Sequence, residues 1–472
     1  MTPSTPPQFE YRAYQQQALV DLRATGMDSA ILYAPTGSGK TAIMCDITHR
    51  AVAKGRAVLF MCDSIEIVEQ TSATMDWWGV EYGVIQGTTR TRPDVAVHIA
   101  TIQTLRNRTL PKKDIVFVDE CHLARAATWE KVIQHYIDAG AKIIGASASP
   151  CRLDGRGLGK LFKHIVYCPS IQELTQQGYL VPFRVFAPSV PNVSSVPTEQ
   201  GDFQRKGLAV IMDKPKLIGN AVEHYGKMAR GRLAILSAVG VEHSKHLAEA
   251  FQAAGIPAAH ADATTDREER RRVLSMPAPG VICQVDICGK GWDRPEVSAA
   301  IDCRPTQSLA RWLQFVGRSV RPFEGKRDSV LLDVSGNVHR FGMPDEAREW
   351  TLDEKQTQTR EPAVGDLVVS ITTCRRCFGT FRSIVDVCPY CGAPVVRQVR
   401  RIETEPGQLE EMRREQKAAA IENWREKVSD EEKKKRYEGF RFVMVAKGYK
   451  KNWADVRFYH TFGHWPGREV RA

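Results

Sequence analysis

Short runs of consecutive apolar residues punctuate the first part of the chain, at 31–34, 58–62, 95–100, 115–118 and 143–146. Each is separated from the next by a stretch long enough for a helix. Unbroken apolar runs of this length describe strands covered on both faces, and their spacing describes parallel strands joined by crossover helices. After a proline-containing junction, Gly178-Tyr-Leu-Val-Pro182, the series repeats at 233–236, 258–261, 281–285, 299–302 and 330–333. The pattern therefore predicts an α/β fold with two tandem parallel-sheet domains, over residues 1–182 and 183–345. Pro188, Pro191 and Pro197 interrupt any regular pattern, which predicts a partly irregular connection across 183–230. Beyond residue 345 the alternation stops. Residues 360–366 read as a linker, a small cysteine-bearing unit is expected over 366–400, and a basic helical region over 405–472. Within that last region, 408–437 is rich in Glu, Lys, Arg and Ala with Leu409, Met412, Ile421 and Trp424 as sparse apolar positions, the signature of one or two exposed helices.

Composition narrows the class. With 472 residues, 43% hydrophobic and 26% charged, the chain can bury substantial cores, which excludes a disordered or fibrous protein. No stretch approaches the roughly 20 apolar residues of a membrane span. The opening Met1-Thr-Pro-Ser-Thr-Pro-Pro has neither a basic nor an apolar leader segment, so no signal peptide, no membrane partner and a cytoplasmic location are expected. The net charge is +11, and residues 371–472 hold 22 Lys and Arg against 14 Asp and Glu. Most of the basic excess thus belongs to the C-terminal end, where it suits a polyanionic partner or serves as solubilising charge. Eight of the 12 cysteines, Cys45, Cys62, Cys121, Cys151, Cys168, Cys283, Cys288 and Cys303, are scattered through apolar segments. They read as small core residues in a reducing compartment.

The chemistry starts directly after the first strand, in Ala34-Pro-Thr-Gly-Ser-Gly-Lys-Thr41. Gly37 and Gly39 free the backbone between Pro35, Thr36 and Ser38 to turn its N–H groups toward phosphates at a helix N-terminus. Lys40 would neutralise the β- and γ-phosphates of ATP and Thr41 would hold Mg²⁺. Ala34 stands where the strict pattern begins with glycine, but a strand before and a helical pattern after the loop supply the context. The strand 115–118 ends in Asp119-Glu-Cys-His122. In a parallel sheet the carboxyl ends of strands line one crevice, which brings Asp119 and Glu120 toward Lys40. Asp119 can hold Mg²⁺ and Glu120 can activate a water.

These residues resemble superfamily 2 helicases of the DEAD/DEAH-box kind, in the DNA-repair and phage-encoded branch whose box reads Asp-Glu-x-His. The resemblance covers roughly residues 8–345 and implies two RecA-like domains. It implies roles for further positions: Arg12 and Gln15 in Arg12-Ala-Tyr-Gln15 as readers of adenine, and Ser147-Ala-Ser149 as the link from hydrolysis to strand movement, with Ser149 replacing threonine. His122 belongs to the catalytic box. Gly289-Lys-Gly-Trp-Asp293 and Gln314-Phe-Val-Gly-Arg-Ser-Val-Arg321 are similar to the family's second-domain motifs, which places Gly291, Asp293 and Gln314 at the nucleotide. Arg318 and Arg321, three residues apart, share a helical face and can serve as arginine fingers. Nucleic-acid contacts are expected from Ser64, Thr101, Gln103, Thr104, Ser237 and His243, although Ser and Thr at strand ends also cap helices. The implied activity is an ATP-dependent helicase or translocase on single-stranded, forked or branched DNA, with replication or repair proteins as possible partners. The same chemistry on RNA, or a motor or clamp subunit of a restriction or nuclease complex, are the alternatives.

Cys374-Arg-Arg-Cys377 and Cys388-Pro-Tyr-Cys391 form two equal pairs ten residues apart, a spacing that delivers four thiolates to one structural Zn²⁺. The closing Cys-Pro-Tyr-Cys-Gly resembles a zinc-ribbon knuckle. In the tail, Arg441, Lys447, Lys450, Lys451, Arg457, Arg468 and Arg471 interleave with Phe442, Tyr449, Trp453, Phe458, Tyr459, Phe462 and Trp465. Asn452 is placed to cap a short helix ended by Gly463 and Pro466, with Trp453, Val456, Tyr459 and Phe462 along one side. That side is either the core of a mini-domain or a stacking surface for unpaired bases.

Overall fold

The structure is a computed structural model that describes residues 10–26, 28–89, 92–124, 127–150, 157–188, 190–199, 201–288, 292–353, 371–382, 385–395, 428–446, 453–462 and 464–471. The first lobe is a seven-stranded sheet made of β1 (Ser29–Tyr33), β2 (Val58–Cys62), β3 (Tyr82–Ile85), β4 (Val97–Thr101), β5 (Ile115–Asp119), β6 (Lys142–Ser147) and β7 (His164–Tyr167). Their spatial order is β3-β4-β2-β5-β6-β1-β7, with every pair parallel. Successive residues serve opposite faces: Ala30 and Leu32 of β1 join one apolar core and Ile31 the other. The larger of these, Leu32 and Ile31, each fully removed from water, contribute about 1.5–3 kcal/mol before ordering costs. The apolar runs are continuous because neither face of the sheet is wet.

The second lobe repeats this with β8 (Phe183–Phe186), then, beyond the small ribbon of β9 (Thr198–Glu199) and β10 (Asp202–Phe203), with β11 (Leu233–Ser237), β12 (Ala258–Ala261), β13 (Gly280–Gln284), β14 (Ala299–Asp302) and β15 (Ser329–Asp333). The span 183–230 is more regular than its prolines suggest. β8 adds to β15 in parallel, and the helices Arg205–Met212 and Pro215–Met228 follow it. Pro215 sits in the first turn of its helix, where the missing N–H costs nothing.

The cysteine segment does not stand apart from this sheet. Its hairpin, β16 (Ile371–Thr373) and β17 (Gly379–Arg382), pairs antiparallel with β8 and extends the second sheet to the order β12-β13-β11-β14-β15-β8-β17-β16. Tyr390 packs on Phe186 with ring centroids 5.3 Å apart. Glycine is required at 379, because a Cβ there would lie 2.1 Å from the Tyr390 ring.

Residues 397–472 form a separate compact unit. Its described part contains the helices Asp430–Ala446, Trp453–Phe462 and Arg468–Arg471, around a core of Val428, Tyr437, Ala454, Phe458, Phe462 and Val470. The buried side of the middle helix therefore runs through Ala454, Phe458 and Phe462, one turn apart. Tyr459, expected on that side, is turned outward and stacks on the exposed Trp465 at 4.8 Å. The expected helix across 408–427, the linker 360–366, Asn452 and Gly463 lie outside the described residues. Among the described residues no helix is long and apolar enough to cross a membrane.

Candidate functional site

The loop 34–39 leaves β1 and turns into the helix Lys40–Val52 through two left-handed glycines, Gly37 at φ 87° and Gly39 at φ 82°. The left-handed φ and a Cβ that would lie 2.6 Å from Gln15 Nε2 both favour glycine at 39. The loop is braced from behind. Tyr14 Oη and Gln15 Nε2 donate to Ser38 O at 2.7 and 3.1 Å, and Ser38 Oγ donates to Pro35 O at 2.7 Å. Both ends of the Gln15 amide are engaged within the protein, since Arg12 N donates to its Oε1 at 3.1 Å. Arg12 stacks on Tyr179, 4.6 Å from the ring centroid. Tyr14 and Gln15 thus support the loop from the helix Ala13–Ala24, and Arg12, its N-cap, holds Gln15 in place.

Asp119 ends β5, and Glu120 follows with a left-handed φ of 49°, an uncommon conformation for a side chain that here aims two consecutive carboxylates at one crevice. Burial, with the Glu120 charge beside it, pushes Asp119 up to about 6, while Lys40 opposes the shift. Such a carboxylate favours a nearby cation. Glu120 Oε2 accepts from Gln314 Nε2 at 2.8 Å and lies 3.3 Å from His122 Nδ1, which is also 3.3 Å from Ser147 Oγ. Ser149 N donates to Ser147 Oγ at 3.1 Å. The two serines and His122 thereby form one continuous polar chain ending on Glu120. Gln314, from the second lobe, holds Glu120 rather than lining the crevice.

The second lobe meets this loop through the helix Leu309–Val316 and the turn Gly317–Val320. Gly317 packs so closely that a Cβ on it would sit 2.9 Å from Thr36 Cβ. Arg318 is buried and donates from Nη1 to Trp292 O at 2.8 Å, with its charge facing Glu120 and Asp119. Arg321 pairs with Asp293, while its buried Nε has no hydrogen-bond partner among the described residues. Between the lobes lies a cavity of about 350 Å³, within the size range of small-ligand sites. Pro35, Thr36, Gly37, Gly39, Lys40, Thr41, Asp119 and Glu120 form one wall, and Asp293, Arg318 and Arg321 the other. Ile67, Gln70, Pro295 and Pro322 also line it. Sequence reasoning missed these four; the one available signal was that Ile67 and Gln70, three apart, share a helical face just after the strand-end pair Asp63-Ser64. Gly291 lies outside the described residues.

The expected nucleic-acid contacts fare differently. Ser64 Oγ caps the helix Ile65–Trp77, accepting from Ile67 N at 3.4 Å. Gln103 Nε2 donates to Asp63 O at 2.9 Å, Thr101 Oγ1 donates to Thr104 Oγ1 at 2.9 Å, and Thr104 Oγ1 accepts from Gly87 N at 2.9 Å. These four gather at the carboxyl ends of β2 and β4. Ser237 sits half-buried at the end of β11. His243 is the correction: it is 3% exposed and its Nδ1 accepts from Val239 N at 3.3 Å, so its ring is a core element and does not reach a strand of nucleic acid. Burial pushes it down to about 4.

The sulfurs of Cys374, Cys377, Cys388 and Cys391 all lie within 4.8 Å of one another. Cys374 and Cys391 are 3.7 Å apart and Cys377 and Cys388 3.6 Å.

Known proteins are similar to this chain in sequence and fold. The family model described as type III restriction enzyme, res subunit, matches residues 8–152. The 51.5 kDa protein of Lactococcus phage (isolate 7-9) is 30% identical over 325 residues, 68% of each chain. The putative ATP-dependent helicase IRC3 of Saccharomyces cerevisiae is 24% identical over 367 residues, covering 69% of this chain and 51% of the yeast protein. The chain thus spans about half of that yeast relative. Among solved structures, the ATP-dependent type ISP restriction-modification enzyme LlaBIII bound to DNA shares the fold, with a TM-score of 0.52 and 17% identity over 68% of this chain and 27% of that one.

Proposed function

The chain belongs to superfamily 2 of the helicases, and from that premise we propose that it is an ATP-driven DNA translocase that unwinds or remodels branched DNA. The observation that carries the reading is the pairing of walls across one cavity, with Lys40 on one lobe and Arg318 and Arg321 on the other. Lys40 and the loop N–H groups bind the triphosphate, and Thr41 and Asp119 hold Mg²⁺. Mg²⁺ held there would supply charge neutralisation for phosphoryl transfer. Glu120 orients the attacking water and takes its proton, while Gln314 and His122 keep that carboxylate aimed. Arg318 and Arg321 stabilise charge that develops on the γ-phosphoryl group. ATP bridges the lobes and hydrolysis removes the bridge, so each turnover shifts two grips on a strand relative to one another. The polar chain from Glu120 through His122 and Ser147 to Ser149 is the route from hydrolysis to that shift.

The four-cysteine cluster holds a structural Zn²⁺. Tetrahedral Zn–S bonds of about 2.3 Å put neighbouring sulfurs about 3.8 Å apart, close to the 3.6 and 3.7 Å separations present. All four ligands would be cysteine sulfurs, which leaves no open site for chemistry. The basic C-terminal unit, with the stacked Tyr459 and Trp465 exposed, adds a contact for unpaired bases.

ATP hydrolysis measured with single-stranded DNA, forked DNA and RNA of equal length tests the reading. Strongest stimulation by DNA supports it, and stimulation by RNA alone favours an RNA helicase. Lys40→Ala and Glu120→Gln should both abolish strand separation; unwinding that persists in both would mean hydrolysis does not drive it. The res-subunit match over residues 8–152 favours one second reading, the motor of a restriction complex. That reading expects translocation without strand separation.

A further inference from the structure

The second-lobe wall of the nucleotide cavity is made by two separate segments, 293–295 and 318–322. Besides the Arg321–Asp293 pair, the side chain of Lys326 ties them together through their backbones. Lys326 leaves a tight turn in which its N–H donates to Phe323 O at 3.0 Å and Gly325 takes the left-handed φ of 75°. The side chain then folds back under the wall. Its Nζ donates to Arg321 O at 2.6 Å, Val297 O at 2.6 Å and Pro295 O at 3.0 Å. An ammonium has three N–H donors, and all three are used on backbone carbonyls. One of those carbonyls belongs to the arginine finger itself, and another to a residue two positions from its ion-pair partner Asp293.

We propose that Lys326 is a positioning residue for hydrolysis: by fastening the backbone of Arg321 to the segment that carries Asp293, it fixes where the Arg321 guanidinium meets the triphosphate. The inference rests on the finger role given to Arg321 above. A free surface lysine does not account for the arrangement, since Lys326 is half-buried, its donors end on three backbone carbonyls, and it makes no ion pair with a carboxylate among the described residues. The charged groups that face it are Arg321 and Arg232, which oppose its charge, and Glu296, which favours it. Burial, with those two arginines, brings Lys326 down to about 7. Loss of its proton as the pH rises through that value removes one of the three donors, so the clamp loosens on the alkaline side.

The experiment is DNA-stimulated ATP hydrolysis by the full chain carrying Lys326→Met, Lys326→Gln, Arg321→Ala and the Arg321→Ala/Lys326→Met pair. Misplacement of a catalytic group by a fraction of an ångström to 1 Å is expected to lower kcat roughly 10- to 100-fold in Lys326→Met, with KM for ATP within about twofold. Lys326→Gln, which keeps two N–H donors, falls between it and the unmodified protein, and decides the matter alone if methionine is not tolerated. The double variant matches Arg321→Ala, because the clamp has nothing left to position. The alkaline limb in kcat near pH 7 disappears in Lys326→Met. Unchanged kcat in Lys326→Met beside an impaired Arg321→Ala overturns the proposal, as does a double variant slower than Arg321→Ala by the full Lys326→Met factor. Undiminished kcat in Arg321→Ala overturns the finger reading itself and this inference with it.

Discussion

Gly317→Ala separates closure of the two lobes from folding of either one. Gly317 has an ordinary right-handed backbone, φ −63° and ψ −15°, so alanine fits the local chain and by itself stabilises the lobe slightly, by about 0.4–1 kcal/mol through the unfolded state. The new Cβ, however, would meet Thr36 Cβ at 2.9 Å, Thr36 Oγ1 at 3.2 Å and Thr36 Cγ2 at 3.5 Å. The nearest atom is attached directly to the backbone of the phosphate loop, so no flexible side-chain end can swing away. Overpacking of this kind costs about 1–3 kcal/mol, and the closed arrangement bears the whole cost. At 1.36 kcal/mol per decade, DNA-stimulated kcat/KM for ATP should fall roughly 5- to 150-fold, while the thermal midpoint stays the same or rises. In a Thr36→Gly background, which removes the opposing Cβ, the penalty of Gly317→Ala should largely vanish. A Gly317→Ala protein with unchanged kcat/KM would refute the idea that hydrolysis requires the lobes this close.

Other consequences follow from separate parts of the molecule. Purified protein should carry one Zn²⁺ per chain, and its removal by a chelator, or Cys391→Ser, should expose β17 and β8 to proteolysis, because the cysteine hairpin is the edge of the second sheet; metal content near zero with an unchanged protease pattern contradicts this. His243 titrates near 6.5 in the unfolded chain and about 4 when folded. The unfolded state therefore holds the extra proton between those values, and stability falls as the pH drops, by about 2 kcal/mol between pH 7.5 and 5. Denaturant midpoints of the unmodified protein and His243→Gln at both pH values check this, the variant showing the smaller decline. Trp465→Ala should weaken binding of single-stranded DNA by about 1–3 kcal/mol without changing its salt slope, whereas deletion after Gln408 should flatten that slope; unaltered binding in both means the C-terminal unit does not touch the strand.

The central strands of both sheets were legible because they are buried on both faces and contain few polar residues. The edges were not. β7, His164–Tyr167, has only Val166 buried, and β8 follows Pro182 and includes Arg184, so neither reads as an apolar run. The attachment of the cysteine hairpin was illegible for a different reason: β17 meets β8 nearly two hundred residues away, through the backbone, and backbone pairing leaves no mark on side-chain pattern. The cavity between the lobes was legible where the phosphate-loop and carboxylate patterns restrict residue type, as at Gly37, Gly39, Lys40, Asp119 and Glu120. It was illegible where a residue acts on its neighbours, as with Gln15 on Ser38 O, Gln314 on Glu120 or Lys326 on three carbonyls. Tyr459 shows the limit of helical spacing: the period put it on the side of Phe462, but packing turns it outward.

The claim on which everything else depends is that one ATP is held between the lobes, bound mainly from the Lys40 side and hydrolysed with help from the Arg318 side. Equilibrium ATP binding and single-turnover hydrolysis by Arg318→Ala, in the presence of saturating single-stranded DNA, test it most directly. Binding within about threefold of the unmodified protein, with hydrolysis slowed about 10³-fold or more, is the predicted result. Hydrolysis at the unmodified rate would contradict it.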